Sequence, residues 1–190
     1  MKLNCLYFDQ NACRSCEGLE FDLETWRQQQ TSKLEQEIEG PWLKPFWSPE
    51  VFGSRTKAKF VVGGSVDAPI LGRVSHELEV IELSQCQLHH PKLKALTADI
   101  LSLISRYDLT PYDIKNRQGE LKYVVMQIGQ DDQVLLRFIL RSKEALDRVQ
   151  KLARDESVKQ KFSLISVNIQ PEAKAILDGA EEIIVSEEKT

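Results

Sequence analysis

From Thr56 the chain alternates with a period of two: Ala58, Phe60 and Val62 point one way, and Lys57, Lys59 and Val61 the other. That is the pattern of a half-buried strand, and Gly63-Gly64-Ser65 is expected to end it. Ile70–Val74 and Leu78–Leu83 form two further apolar runs around Ser75-His76-Glu77, which predicts a hairpin. A second hairpin is expected from Leu121–Ile128 and Val134–Leu140, with Asp131-Asp132 at the turn and Arg137 and Arg141 on one face. Lys161–Gln170 and Glu181–Val185 complete the strands, the latter after Asp178-Gly179.

Elsewhere the period lengthens to that of a helix. Leu23, Trp26, Gln30, Leu34 and Ile38 recur at helical spacing, with Asp22 as N-cap and Gly40-Pro41 as the stop, so an amphipathic helix lying on the domain is expected. Pro91 opens a second helix with Leu93, Leu96, Ile100, Leu103 and Ile104 on one face, and Ser142 is expected to cap a third with Ala145, Leu146, Val149 and Leu152 inward. His89 and His90 stand at the entrance of the Pro91 helix, where capping or solvent contact is expected of them rather than metal ligation. Between the first helix and the first strand, Trp42, Phe46 and Trp47 are interleaved with Pro41, Pro45 and Pro49. A stiffened connection anchored to the core by its rings is the reading preferred over a base-stacking platform.

These elements describe an α+β protein: a mixed, mainly antiparallel sheet with helices on one face. The β-α-β-β-α-β order from Leu78 onward is that of a split βαβ, ferredoxin-like layer extended by the outer strands. The expected organisation is a region 1–50, holding a cysteine loop, a helix and the Pro/Trp connection, followed by a central domain 51–190.

With 42% hydrophobic and 28% charged residues the composition is that of a globular chain. No apolar run reaches membrane-spanning length, and the N-terminus lacks the apolar stretch of an export signal, so a reducing cytoplasm is expected. A net charge of −4 argues against indiscriminate binding to nucleic acid, but the charge is uneven. Arg55, Lys57, Lys59 and Arg73 lie close together, whereas Glu181, Glu182, Glu187 and Glu188 load the C-terminal end.

Chemistry is concentrated in the cysteines. Cys5, Cys13 and Cys16 are spaced C-x7-C-x2-C amid polar residues, and Cys86 is the fourth and last. Four thiolates make one tetrahedral donor set, and one close pair with two distant singletons favours an iron–sulfur cluster over the paired Cys-x2-4-Cys spacing usual for zinc. Structural zinc, buried free thiols and disulfides are the competing readings.

The cysteine pattern does not stand alone. With Arg55-Thr-Lys-Ala-Lys59, Pro69-Ile-Leu-Gly72, Leu109-Thr-Pro-Tyr112, Gly119-Glu-Leu-Lys-Tyr123, Leu136-Arg-Phe-Ile-Leu-Arg141 and Ser166-Val-Asn-Ile-Gln-Pro171, the chain resembles the front half of the iron–sulfur 23S ribosomal RNA (uracil-C5)-methyltransferases. The resemblance implies a [4Fe–4S] cluster on Cys5, Cys13, Cys16 and Cys86, and a 23S rRNA stem-loop as partner of a monomeric chain. It also implies S-adenosylmethionine as methyl donor of the full-length enzyme. Arg55, Lys57 and Lys59 share a strand face about 7 Å apart, comparable to phosphate spacing, and are the first RNA-contact candidates. Arg14, inside the cysteine loop, is another, and Asn168 and Gln170 offer donors and acceptors suited to base edges. Methylation at C5 needs a thiolate to add at C6, and every cysteine here is already assigned to the cluster pattern. Gly63-Gly64 does not lead into a helix as a nucleotide-binding turn would. The methyl-donor-binding domain is therefore expected to be missing, and the chain alone to be inactive.

Overall fold

The computed structural model describes residues 2–40, 43, 45–173 and 178–186. The chain forms two compact units, Met1–Val51 and Phe52–Thr190.

In the first unit Cys5 precedes a single helical turn, α1 (Leu6–Asp9), and Cys16 precedes a 3-10 turn, Glu17–Glu20. The loop between them folds on its own backbone: the amides of Ala12 and Cys13 both donate to the carbonyl of Tyr7, at 2.9 and 3.0 Å. Helix α2 (Leu23–Glu37) begins at Asp22, whose carboxylate accepts from the amides of Glu24 and Thr25 at 3.1 and 3.2 Å. None of its residues is buried, and Leu34 and Ile38 are exposed, so within its unit the helix does not bury the apolar stripe expected of it. Trp26 instead stacks on Phe21, with centroids 5.9 Å apart. In the proline-rich connection Trp42 lies outside the described residues. Phe46 is 90% exposed and Trp47 lies beneath the Arg27 guanidinium, 5.8 Å from the ring centroid. Neither ring is the core anchor expected.

The second unit is built on a seven-stranded sheet: β1 (Lys57–Gly64), β2 (Pro69–Val74), β3 (Val80–Glu82), β4 (Leu121–Ile128), β5 (Val134–Leu140), β6 (Leu164–Ile169) and β7 (Glu181–Ile184). The order across the sheet is β3-β2-β1-β4-β5-β6-β7. Every pair is antiparallel except β5 with β6, and that parallel pair is joined by the crossover that parallel strands require, α4 (Leu146–Ala153) and α5 (Glu156–Lys159). This is the mixed, mainly antiparallel α+β architecture, but not a ferredoxin-like layer. β1 pairs directly with β4, and β3 lies at the far edge, separated from β4 by β2 and β1.

One face of the sheet carries Ala58, Phe60, Val124, Met126, Leu136 and Phe138, closed by Leu93, Ile100 and Ile104 of α3 (Pro91–Arg106) and by Val149 and Leu152 of α4. His90 caps α3, its Nδ1 accepting from the amide of Lys92 at 3.2 Å. His89 does not face solvent; it is buried edge-on against Phe60 at 5.2 Å. Ser142 does not cap α4, which starts at Leu146, but accepts from the amide of Glu144 and donates to Glu120 Oε2 at 2.6 Å. Among the described residues no helix is long and apolar enough to cross a membrane.

Candidate nucleic-acid interface

The face opposite α3 and α4 is where the polar half of each strand emerges. Register fixes which side chains share it: Lys57 lies across from Gln127, Lys59 from Val125 and Val61 from Tyr123. Continuing across the sheet, Val125 faces Arg137 and then Ser166, while Tyr123 faces Ile139 and then Asn168. Arg55, Lys57 and Lys59 are exposed, and among the described residues none of the three forms an ion pair. The ammonium of Lys59 lies 5.7 Å from the centre of the Tyr123 ring, close enough for a cation–π attraction. Arg73 does not join this strip. It is one residue out of step with Gly72, the partner of Val61, so strand alternation puts it on the opposite face.

Arg55 marks the near end of the strip and is held by its backbone. Its amide donates to the carbonyl of Leu88 at 2.9 Å, and its own carbonyl accepts from the amide of His90 at 2.9 Å. The amide of Gly53 reaches the carbonyl of Gln87 at 2.8 Å. The basic strip therefore begins beside the turn that carries Cys86, whose amide donates to the carbonyl of Leu83.

The far side of the same face is electrically closed. Arg137 binds Glu182 through Nε and Nη2, at 2.9 and 2.6 Å, and also pairs with Asp178. Ser166 Oγ and Asn168 Nδ2 donate to the same Glu182 carboxylate at 2.6 and 2.8 Å. Burial pushes the Glu182 pKa up, but the bonds from Arg137, Ser166 and Asn168 together hold it below the ordinary carboxylate value.

That network also decides the fate of Asn168. It is 2% exposed; its Nδ2 donates to the carbonyls of Gly179 and Glu181 as well, and its Oδ1 accepts from the amide of Gly179 at 2.7 Å. Gln170 is equally enclosed, its side-chain and main-chain oxygens both accepting from Lys122 Nζ. Both side chains are thus enclosed, with the amide of Asn168 holding the β6–β7 connection and the oxygens of Gln170 engaged by Lys122. Arg14 remains exposed, its Nε on Asn11 Oδ1 at 2.8 Å and its guanidinium 4.1 Å from the centre of the Phe8 ring.

Sequence reasoning left unassigned the cleft beside the strip. Val61, Val74, Tyr112, Ile114, Arg117 and Tyr123 surround a space of about 320 Å³, with Leu78 at one edge and Lys122 beneath. Lys122 is the extra residue of an irregularity in the β4–β5 ladder between Leu121 and Tyr123, which turns its side chain away from the regular alternation. Its ammonium lies 5.3 Å from the Tyr112 ring and donates to the carbonyl of Glu172 at 2.7 Å. Burial lowers its pKa, with the charge of Glu172 opposing. Burial also pushes the Tyr123 hydroxyl up. The string Gly119-Glu-Leu-Lys-Tyr123 was part of the resemblance, yet nothing in its periodicity announces a bulge.

Cys5, Cys13 and Cys16 lie in the first unit and Cys86 in the second; all are half-buried and none forms a disulfide. Cys13 Sγ is 3.4 Å from Ser15 Oγ. Among the described residues no three metal-ligating side chains gather as a metal site would require. The fit to a cluster thus rests on the donor chemistry, four half-buried cysteines with three on one short loop, and not on an assembled geometry.

No family model matches the chain. Curated relatives do: the 23S rRNA (uracil(747)-C(5))-methyltransferases RlmC of Haemophilus influenzae strain PittGG, 36% identical over 98% of this chain, and of Shewanella loihica, 34% identical over 97%. That of Actinobacillus pleuropneumoniae serotype 3 is 36% identical over the full chain. The chain spans about half the length of each of these relatives, 50–51%. Among solved structures, the Pyrococcus abyssi tRNA (uracil-54, C5)-methyltransferase in complex with S-adenosyl-L-homocysteine shares the fold, with a TM-score of 0.66 over 90% of this chain and 40% of that one, at 16% identity.

Proposed function

With the 23S rRNA (uracil-C5)-methyltransferases as its relatives along nearly its whole length, we propose that this chain supplies the RNA-holding, cluster-bearing part of such an enzyme. The similarity to those relatives carries the reading. The exposed Arg55, Lys57 and Lys59 row, unpaired among the described residues and set beside an aromatic ring, supports it. The substrate is then a stem-loop of 23S rRNA, met by β1 on the open face of the sheet.

Cys5, Cys13, Cys16 and Cys86 would hold a [4Fe–4S] cluster. Bound there, it supplies cross-links between distant parts of the chain, since methyl transfer from a sulfonium moves no net electron. Because the turn of Cys86 is hydrogen-bonded to Gly53 and Arg55, anchoring that turn also steadies the start of the basic strip. Addition of a thiolate to C6 of uracil and binding of S-adenosylmethionine are assigned to the part of these enzymes that this chain does not span. The 190 residues alone are expected to methylate nothing.

Two measurements test the reading. Chain purified without oxygen should contain iron and sulfide, and Cys13→Ser or Cys86→Ser should lose them while Phe52–Ser186 stays folded; zinc in their place would turn the cysteines into a structural zinc site. Second, Lys57→Glu with Lys59→Glu should weaken binding to a 23S rRNA stem-loop and flatten its salt dependence by about two counterions, each phosphate contact contributing roughly 0.7–0.9 to the slope. An unchanged slope would reduce the strip to a solvated strand face.

A further inference from the structure

Resting on the RNA reading, we propose that the cleft between β1, β2, β4 and the 112–117 loop is a pocket for one unstacked nucleobase of single-stranded RNA, with Lys59 and Lys57 on the adjoining phosphates. Three observations converge on this occupant.

The walls suit a flat, apolar-faced ring. Val61, Val74 and Ile114 give aliphatic surface, and Tyr112 and Tyr123 bring two aromatic rings to the same cleft. Its volume of about 320 Å³ is at the small end for ligand sites, enough for a base and not for a helix or a strand of protein. A base inside a duplex keeps both faces stacked and cannot enter, so the ligand must be a loop, bulge or end whose bases are splayed out.

The charge around the cleft is asymmetric. Lys59 lies over the Tyr123 ring, Lys57 is two residues further along the same face, and Arg117 stands at the cleft without an ion pair among the described residues. On the opposite rim Glu79 and Asp113 line a neighbouring hollow, and Glu79 is neutralised by Lys115 at 3.0 Å. Lys57 and Lys59 are thus the cations that draw phosphates along β1, with Arg117 facing them across the cleft. An RNA strand tracking Lys57 to Lys59, about 7 Å apart, brings the following nucleotide level with Val61 and Tyr123.

The pocket is also held open beforehand. Lys122, 5% exposed beneath it, is tied to Gln170 and Glu172, and the carbonyl of Arg117 accepts from Arg141 Nη1 at 3.2 Å. The wall that carries Ile114 and Arg117 is thus fixed to the sheet before any ligand arrives, which lowers the ordering cost of binding.

The test uses the whole chain with three RNA probes: a single-stranded hexanucleotide, the same strand with abasic positions, and a duplex of equal length. Tyr123→Leu should weaken the single strand about five- to 150-fold, the range measured for loss of one base–aromatic stack. It should leave the duplex and abasic probes unchanged. Leu78→Trp, at an exposed edge of the cleft, should have the same selective effect by filling it without touching the core, which guards against a folding defect in the first variant. If the single strand binds in a Lys57- and Lys59-dependent way and neither cleft variant alters it, the base pocket is overturned and the RNA reading stands. If no probe binds the unaltered chain, both fall.

Discussion

Arg141→Ala offers the sharpest measure of what holds the cleft loop to the sheet. Glu120 is 2% exposed, and its carboxylate accepts from Arg141 Nε at 2.9 Å and Nη2 at 2.8 Å, and from the Ser142 amide and hydroxyl at 3.0 and 2.6 Å. Removing the guanidinium leaves a buried carboxylate with two of its four bonds and no counter-ion. Breaking a fully buried pair costs about 3–5 kcal/mol, but the Arg141 side chain is 36% exposed, so water screens the pair and refills part of the gap. About 2 kcal/mol is expected, which for a unit of this size lowers the melting temperature by roughly 4–8 °C. Urea denaturation of the whole chain measures it, with the slope unchanged if the folded state is intact. Glu120→Gln keeps the shape but only one oxygen, so two of the four acceptor contacts survive while its NH2 can donate to the Ser142 hydroxyl; it should also cost about 2 kcal/mol, and the double variant should fall short of the sum of the singles. A loss under about 0.5 kcal/mol in Arg141→Ala, or strict additivity, would refute the reasoning. The same variant should speed amide exchange in residues 112–120, because Arg141 also holds the carbonyl of Arg117.

Other consequences can be checked separately. Gly72→Ala should unseat β3, since a Cβ there would sit 1.7 Å from the carbonyl oxygen of Ile81; loss of amide protection at Val80–Glu82 with β4–β5 protection intact is the expected result. His89 has its pKa lowered by burial, then by Arg55 and Lys94, so the neutral form is favoured by folding. Its contribution is complete above the ordinary value of 6.5 and is lost as pH falls from there toward the folded pKa, because the unfolded chain takes the proton first. The fall in urea midpoint between pH 7.5 and 5.5 should shrink in His89→Leu, which also removes a buried Nδ1 that has no hydrogen bond among the described residues. Glu182 is lowered in turn, so its hold on β7 persists above 4.5 and weakens below; Glu182→Gln should loosen amide protection in Glu181–Ile184 at neutral pH.

The strands and the long helix α3 were legible because their apolar positions repeat at two and at three or four residues, and burial rewards that repetition directly. Ala58, Phe60 and Val62 could be placed on one face of their strand from spacing alone. What spacing does not encode is which strand pairs with which: β1 lies beside β4 rather than with a ferredoxin-like set, a choice made by tertiary packing. The site divided along the same line. Lys57 and Lys59 were visible as the polar half of an alternation, whereas Asn168 looked identical in the sequence and is enclosed by β7. Lys122 was hidden by a ladder irregularity, and the four-residue helix α5, capped by Asp155, is too short to leave a period.

The place of β1 in the sheet has a consequence for how the protein is made. One edge of β1 is satisfied early by β2, but the other awaits β4, and residues 65–120 separate them. At about 5–20 residues per second on the ribosome, that edge stays open for roughly 3–11 s, longer by orders of magnitude than a hairpin takes to form. An open strand with Ala58, Phe60 and Val62 on one side is a template for pairing with other chains. Lys57 and Lys59, alternating with those residues, are the charges that discourage such pairing. The lysines of the proposed RNA-facing strip are thus also the charges placed to guard the nascent strand during the interval before its own β4 exists.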